Sequence, residues 1–179
     1  MLLEDLGSRI CIMGPSSSGK STLTRAIADK KGIEYCHLDS MAHIPNTNWV
    51  RCDNDEFIKK HDEFIKKDSW VIDGNYKLTI PQRFDRATAV IFLDFSPLKC
   101  CFYYLKRCLF KKNRYGTLEG AKSDFSFELL RYIIFDYSKK IDSYRKLMES
   151  KKNIFKIYVK NRKELNELYI KLGISYKDM

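Results

Sequence analysis

One stretch, Gly14-Pro15-Ser16-Ser17-Ser18-Gly19-Lys20-Ser21, constrains this chain more than any other. It has the pattern GxxxxGKS and stands directly after a short apolar run, Ile10-Cys11-Ile12-Met13. After it, Leu23, Ile27 and Ala28 recur at helical spacing across residues 21–30. A buried strand, a glycine loop and a helix in that order are the context in which such a pattern has chemical meaning.

The chemistry is local. Gly14 and Gly19 permit backbone angles and close approach that a Cβ would forbid. The loop amides beyond Pro15, which has none to give, converge on phosphate oxygens and are reinforced by the positive end of the following helix. Lys20 supplies a point charge to the outer phosphates of a nucleoside triphosphate, and the Ser21 hydroxyl is placed to ligate Mg²⁺. The expected nucleotide-binding set is Gly14, Pro15, Ser16, Ser17, Ser18, Gly19, Lys20, Ser21 and Thr22, with ATP as co-substrate.

Mg²⁺ wants further oxygen ligands, often a carboxylate. Two aspartates end apolar runs: Asp73 after Trp70-Val71-Ile72, and Asp94 after Ile91-Phe92-Leu93. In a parallel sheet both fall at the carboxyl edge, where ligands bind. Asp73 is the preferred metal residue, because Gly74 lets the chain turn tightly beside a ligand. The competing role for Asp94 is to cap the helix beginning at Pro97.

The rest of the chain repeats the first unit. Further strands are expected at 33–38, 70–72, 89–93 and 154–159, and helices at about 53–67, 97–110, 125–148 and 164–172. Asp53 is a fair N-cap with Glu56 three residues on, and DEFIKK occurs twice, at 55–60 and 62–67, as an amphipathic helix would allow. Short apolar strands without clean alternation, interleaved with helices, imply a parallel sheet covered on both faces. The expectation is one α/β three-layer domain over residues 1–179, with no linker to divide it.

Composition excludes some classes. No run of eighteen apolar residues exists and residues 1–5 lack signal-peptide order, so a soluble, cytoplasmic protein without membrane contact is expected. The six cysteines form no CxxC pair and no zinc-ligand spacing, and read as reduced thiols. The net charge of +10 admits an anionic partner or a solvated surface, and Lys pairs such as Lys59-Lys60 and Lys139-Lys140 favour the latter. The basic, glycine-containing segment 111–122 reads as a loop or flap.

Tyr35-Cys36-His37-Leu38-Asp39, then Trp49, then Trp70-Val71-Ile72-Asp73-Gly74-Asn75-Tyr76, then Val90-Ile91-Phe92-Leu93-Asp94 and Leu105-Lys106-Arg107 follow the glycine loop in order. Over residues 8–165 this resembles the bacterial topology-modulation proteins, small adenylate-kinase-like P-loop proteins. The resemblance implies the nucleoside-monophosphate-kinase fold: a five-stranded parallel sheet, an acceptor-binding insertion at about 40–68 and a basic lid at about 111–123. It implies that Asp73 stands near Mg²⁺, that Arg83 grips an acceptor phosphate, and that Arg107 at the lid hinge and Arg114 in the lid contact the transferring phosphate. Arg83 lies outside the tighter spacing of the kinases proper, which leaves AMP in question as acceptor. Asp39 matches a carboxylate that binds or deprotonates an acceptor hydroxyl in small-molecule kinases of this superfamily, with helix capping as its competing role. Tyr103 and Tyr104 stand where an adenine could stack, and His37 and His43 are read as structural.

The leading expectation is an ATP- and Mg²⁺-dependent phosphotransferase acting on a small nucleotide or another small phosphate- or hydroxyl-bearing acceptor. An alternative from another class is an ATP-binding, DNA-associated regulatory protein without kinase turnover, compatible with +10 but lacking a helix-turn-helix, a zinc finger or an aromatic platform. A GTPase switch has less behind it: Asn161-Arg162-Lys163-Glu164 is a loose echo of a guanine-reading motif.

Overall fold

A computed structural model describes residues 2–110 and 125–174. Arg114 and the expected lid at 111–123 lie outside the described residues.

Five strands form one wholly parallel sheet in the order β2-β3-β1-β4-β5. They are β1 (Arg9–Met13), β2 (Tyr35–His37), β3 (Trp70–Asp73), β4 (Ala89–Leu93) and β5 (Phe155–Val159). The helices are α1 (Lys20–Lys31), α2 (Leu38–Ala42), α3 (Asn54–Ile65), α4 (Ile80–Arg86), α5 (Pro97–Phe110), α6 (Phe127–Arg131), α7 (Tyr137–Ser150) and α8 (Arg162–Lys171).

The inner strands β1, β3 and β4 lack alternation because both of their faces meet a layer of helices. Ile10 and Ile12 of β1 pack with Val71, Ile91 and Leu93 against α1, α5 and α8, through Leu23, Ile27, Cys100, Tyr104, Leu165 and Leu168. Cys11 and Met13 point the other way, with Ile72, Val90 and Phe92, onto Phe57 and Ile65 of α3, Phe84 of α4 and Tyr137, Tyr144 and Met148 of α7. This is the three-layer α/β architecture, with β1 at its centre.

Several local expectations change. The second strand is only three residues long, and Leu38 already opens a short helix. Helix α4 carries no apolar period long enough to read, yet Pro81 sits in its first turn, where a missing N–H costs nothing. The long helix of 125–148 is interrupted by a π-helical turn, Tyr132–Asp136, between α6 and α7. Asp53 caps α3 as expected, accepting from the Asp55 amide at 2.8 Å. The guanine-motif echo is instead a helix cap: Asn161 Oδ1 accepts from the Glu164 amide at 3.0 Å and Glu164 Oε2 from the Lys160 amide at 2.7 Å.

Between α2 and α3 the chain makes a small hairpin. His43 and Arg51 form an antiparallel bridge, the Ile44 amide donates to the Val50 carbonyl at 2.9 Å, and the Cys52 amide donates to the Ala42 carbonyl at 3.1 Å. The Thr47 hydroxyl ties the tip, donating to the Ile44 carbonyl at 2.6 Å. Among the described residues no helix is long and apolar enough to cross a membrane.

Candidate active site

The glycine loop bridges β1 and α1. Gly14 has φ 145°, and a Cβ there would stand 2.6 Å from the Leu93 carbonyl oxygen. Only glycine lets the loop leave the sheet so close to β4. Gly19, at φ 100°, lies against the Arg162 guanidinium, 2.9 Å from where a Cβ would be. Ser18 is buried, with its hydroxyl donating to the Pro15 carbonyl at 2.8 Å. The buried Ser17 hydroxyl has no hydrogen-bond partner among the described residues. The first amides of α1, from Lys20 to Thr22, lie ahead of the helix's own hydrogen-bond ladder and point toward the loop, as phosphate binding requires.

Lys20 stretches back along this loop, its Nζ donating to the Pro15 carbonyl at 2.9 Å. Burial pushes the ammonium's pKa down, while the carboxylates of Asp73 and then Asp39 pull it back up, and Arg107 pushes it down again. Lys20, Asp73, Asp39 and Arg107 thus share one electrostatic neighbourhood.

Asp73 ends β3 and is 2% exposed, so its carboxylate is fixed. The β2–β3 register sets it beside His37, and Oδ2 meets His37 Nδ1 at 2.7 Å. That leaves Oδ1 for another partner. Ser21 and Asp73 give a hydroxyl and a carboxylate oxygen, a hard donor set that fits Mg²⁺ completed by phosphates and water. Among the described residues no cluster of three His, Cys, Asp or Glu side chains forms a protein-only metal cage.

Asp94 is differently engaged. Arg145 of α7 grips it bidentately, Nε to Oδ2 and Nη2 to Oδ1, each at 3.0 Å. Its charge is matched by that guanidinium, whereas the Asp73 carboxylate acts on Lys20.

Asp39 is exposed at the start of α2. Tyr76 Oη donates to its Oδ1 at 2.6 Å, and His43 Nδ1 meets the Asp39 carbonyl at 2.8 Å. Burial and the neighbouring Asp39 carboxylate push the Tyr76 hydroxyl strongly up, so it remains a donor.

Arg83 departs from expectation. It is 1% exposed, and its guanidinium donates to the Gly74 carbonyl at 2.8 Å and the Thr79 hydroxyl at 3.1 Å. It braces the turn after β3 from beneath and presents no face for an acceptor phosphate. The reason is its place on α4: Ile80, Arg83 and Phe84 are the helix's buried positions. Burial also drives the adjacent Cys11 and Cys36 thiols up to about 12, which keeps them protonated beside the guanidinium.

Arg107, near the end of α5, is partly buried and lies over the Tyr104 ring at 5.4 Å. Tyr104 is core, 1% exposed, and cannot stack on a base. Tyr103 stays partly exposed and is covered by Arg162 at 5.2 Å, beside Gly19.

Three contributors escape a reading of the sequence. His37 reaches Asp73 only because β2 and β3 are neighbours. Asn75 clamps the loop, its Oδ1 accepting from the Gly14 amide at 3.0 Å and its Nδ2 donating to the Gly14 carbonyl at 2.6 Å. Arg51, carried on the hairpin, stands over Tyr76 at 5.6 Å. Asn75 and Tyr76 did carry one signal, since they follow directly on a strand-ending Asp-Gly.

The parallel sheet order, the glycine loop after its central strand and the carboxylates along its carboxyl edge define a P-loop protein of the small-kinase fold. Residues 9–178 match the AAA_28 family model, an AAA domain, and the chain belongs to that family. A stretch of 88 residues, 49% of the chain, is 31% identical to cytidylate kinase from Streptococcus mutans serotype c, and the match spans 36% of that enzyme's length. Among solved structures, a gluconokinase from Sinorhizobium meliloti 1021 is similar at a TM-score of 0.53 and 16% identity, over 93% of this chain and 89% of the other. Shikimate kinase from Bacteroides thetaiotaomicron is similar at 0.53 and 19% identity, over 91% and 97%. At these identities the likeness is one of fold.

Proposed function

We propose that this protein is an ATP- and Mg²⁺-dependent phosphotransferase whose acceptor is the hydroxyl of a small molecule. The observation that carries this reading is the contrast between two carboxylates at the sheet's carboxyl edge, a buried Asp73 bonded to His37 and an exposed Asp39 bonded to Tyr76, whose charges both act on Lys20. Asp73 is buried and fixed by His37, which suits a metal ligand. Asp39 is exposed and held by a tyrosine hydroxyl, which suits a base for an incoming O–H.

In this reading the loop amides, Lys20 and Ser21 bind the triphosphate. Bound Mg²⁺, held by Ser21 and Asp73, would supply charge neutralisation between the outer phosphates. The acceptor oxygen forms a bond to the γ-phosphorus as its proton passes to Asp39; the bond from that phosphorus to the bridging oxygen breaks, and ADP leaves with the electron pair. Arg107, and Arg114 by resemblance, offset charge on the transferring group.

The acceptor follows from the same side chains. An exposed carboxylate beside the transfer point repels a phosphate acceptor and attracts a hydroxyl, and Arg83 is turned inward. Both observations favour a hydroxyl over a nucleoside monophosphate. The short match to cytidylate kinase pulls the other way, but it covers too little of that enzyme to carry its acceptor. The named kinases of like fold support phosphoryl transfer in general. The likeness to the topology-modulation proteins rests on the HLD and IDGNY segments and adds no acceptor.

The test is acceptor-dependent ADP release from ATP and Mg²⁺ across nucleoside monophosphates and small hydroxyl compounds, beside Lys20→Ala. Turnover with a hydroxyl compound, lost in Lys20→Ala, supports the reading. No transfer to any acceptor by a protein that binds ATP ends it.

A further inference from the structure

Tyr76 joins two recognition groups of opposite charge. Its hydroxyl holds Asp39, and the Arg51 guanidinium lies over its ring, 5.6 Å from the centroid. Phe57 packs against the same ring at 5.0 Å and fixes its plane. Asp39 and Arg51 do not pair with each other, and among the described residues Arg51 has no carboxylate within ion-pair distance. Two opposite charges are therefore attached to one tyrosine, at its hydroxyl and over its ring, without pairing with each other.

Arg51 is not a loose surface side chain at its root. The bridge to His43, the Ile44–Val50 and Ala42–Cys52 hydrogen bonds and the Thr47 tie set its backbone, and Trp49 two residues earlier takes a left-handed φ of 61°. A bulky residue there persists only where its surroundings hold it. The cation–π contact with Tyr76 leaves the guanidinium's N–H donors to meet a planar oxyanion, which a guanidinium can grip bidentately.

The geometry points to an acceptor that is an anionic hydroxyl compound: its reacting hydroxyl at Asp39, and a carboxylate or phosphate at Arg51 beyond the Tyr76 ring. This rests on the phosphotransferase reading only in giving Asp39 the hydroxyl; the oxyanion site at Arg51 stands without turnover. Arg51 thereby sets which hydroxyl compounds are retained, while Asp39 accepts the proton.

Binding is read separately from transfer. Trp49 is 37% exposed near Arg51 and the other tryptophan, Trp70, is fully buried, so indole emission reports on this hairpin. The full chain is titrated with neutral, carboxylate and phosphate forms of one skeleton: glycerol, glycerate and glycerol 3-phosphate, then glucitol, gluconate and glucitol 6-phosphate. Within at least one skeleton an anionic form is expected to bind roughly ten- to a hundredfold more tightly than its neutral partner. Whichever anion does so assigns carboxylate or phosphate. Arg51→Gln should erase that difference, Arg51→Lys should restore part of it, and neither should change ATP affinity or melting temperature. Asp39→Asn should keep anion binding. Equal binding of neutral and anionic forms, no saturable anion binding, or an unaltered preference in Arg51→Gln overturns the proposal. Anion selectivity without transfer from ATP would refute the phosphotransferase reading and leave the site standing, whereas transfer to neutral and anionic hydroxyls alike would do the reverse.

Discussion

Asn75 holds both backbone groups of Gly14, accepting from its amide at 3.0 Å and donating to its carbonyl at 2.6 Å. The turn after β3 is thereby locked to the first residue of the phosphate loop, and the pairing fixes which way the amide faces. Asn75→Ala should lower stability by about 1–3 kcal/mol and weaken ATP binding, because the loop loses its tether to the metal side. Thermal melts and an ATP titration check both. Asn75→Asp keeps an acceptor but sets a carboxylate oxygen against the Gly14 carbonyl, and should do no better.

Gly14→Ala and Gly32→Ala separate crowding from backbone angle. At Gly14 a methyl meets the Leu93 carbonyl oxygen at 2.6 Å, whereas at Gly32 nothing lies within 4 Å and only the left-handed φ of 64° resists it. Gly32→Ala should cost about 1–2 kcal/mol. Gly14→Ala should cost more and also lose ATP affinity; equal costs in denaturant melts would contradict this account of the loop.

His37 orients Asp73 through the 2.7 Å contact to its Oδ2. With Asp73 in its proposed role as a metal ligand, loss of such an outer partner typically costs about 10–100-fold in metal affinity. His37→Ala should therefore raise the Mg²⁺ concentration needed for half-maximal turnover by that order, with metal-free ATP affinity nearly unchanged. A Mg²⁺ dependence identical to the wild type would show that Asp73 does not need the imidazole.

His61 should make stability depend on pH. It is fully buried on α3, with Nδ1 at 2.8 Å from the Asp62 carboxylate and Nε2 without a partner among the described residues. Burial lowers its pKa below the usual 6.5, against the pull of Asp62. The unfolded chain then binds the proton more readily, so this contribution is complete above about pH 6.5 and declines as pH falls toward the lower folded value. The melting temperature of the wild type should drop below pH 6.5, and His61→Gln should remove that part of the slope.

The sheet was legible because β1, β3 and β4 are apolar runs closed by turn signals and β2 and β5 lie in short, mostly apolar stretches, and the loop because its residues are contiguous. Helix α4 was hidden by its length of seven residues, whereas β2 falls inside the strand expected at 33–38 and is cut to three residues because Leu38 already opens α2. Asp73 could be read as a strand end, but its pairing with His37 needed the neighbour order of β2 and β3. Arg83 was misread because spacing along a chain does not say which face of a short helix turns to the core. Arg51 and Tyr76 lie far apart in sequence and meet only through the hairpin fold.

The central claim is that Asp39 takes the proton of an acceptor hydroxyl beside a triphosphate held at Lys20. The most direct measurement follows γ-labelled ATP into product for wild type and Asp39→Asn, with product bond type assigned by phosphorus NMR. A phosphate monoester is expected, formed at least about 10²-fold more slowly by Asp39→Asn with ATP affinity little changed. Label recovered in a phosphoanhydride, or full turnover by Asp39→Asn, would contradict it.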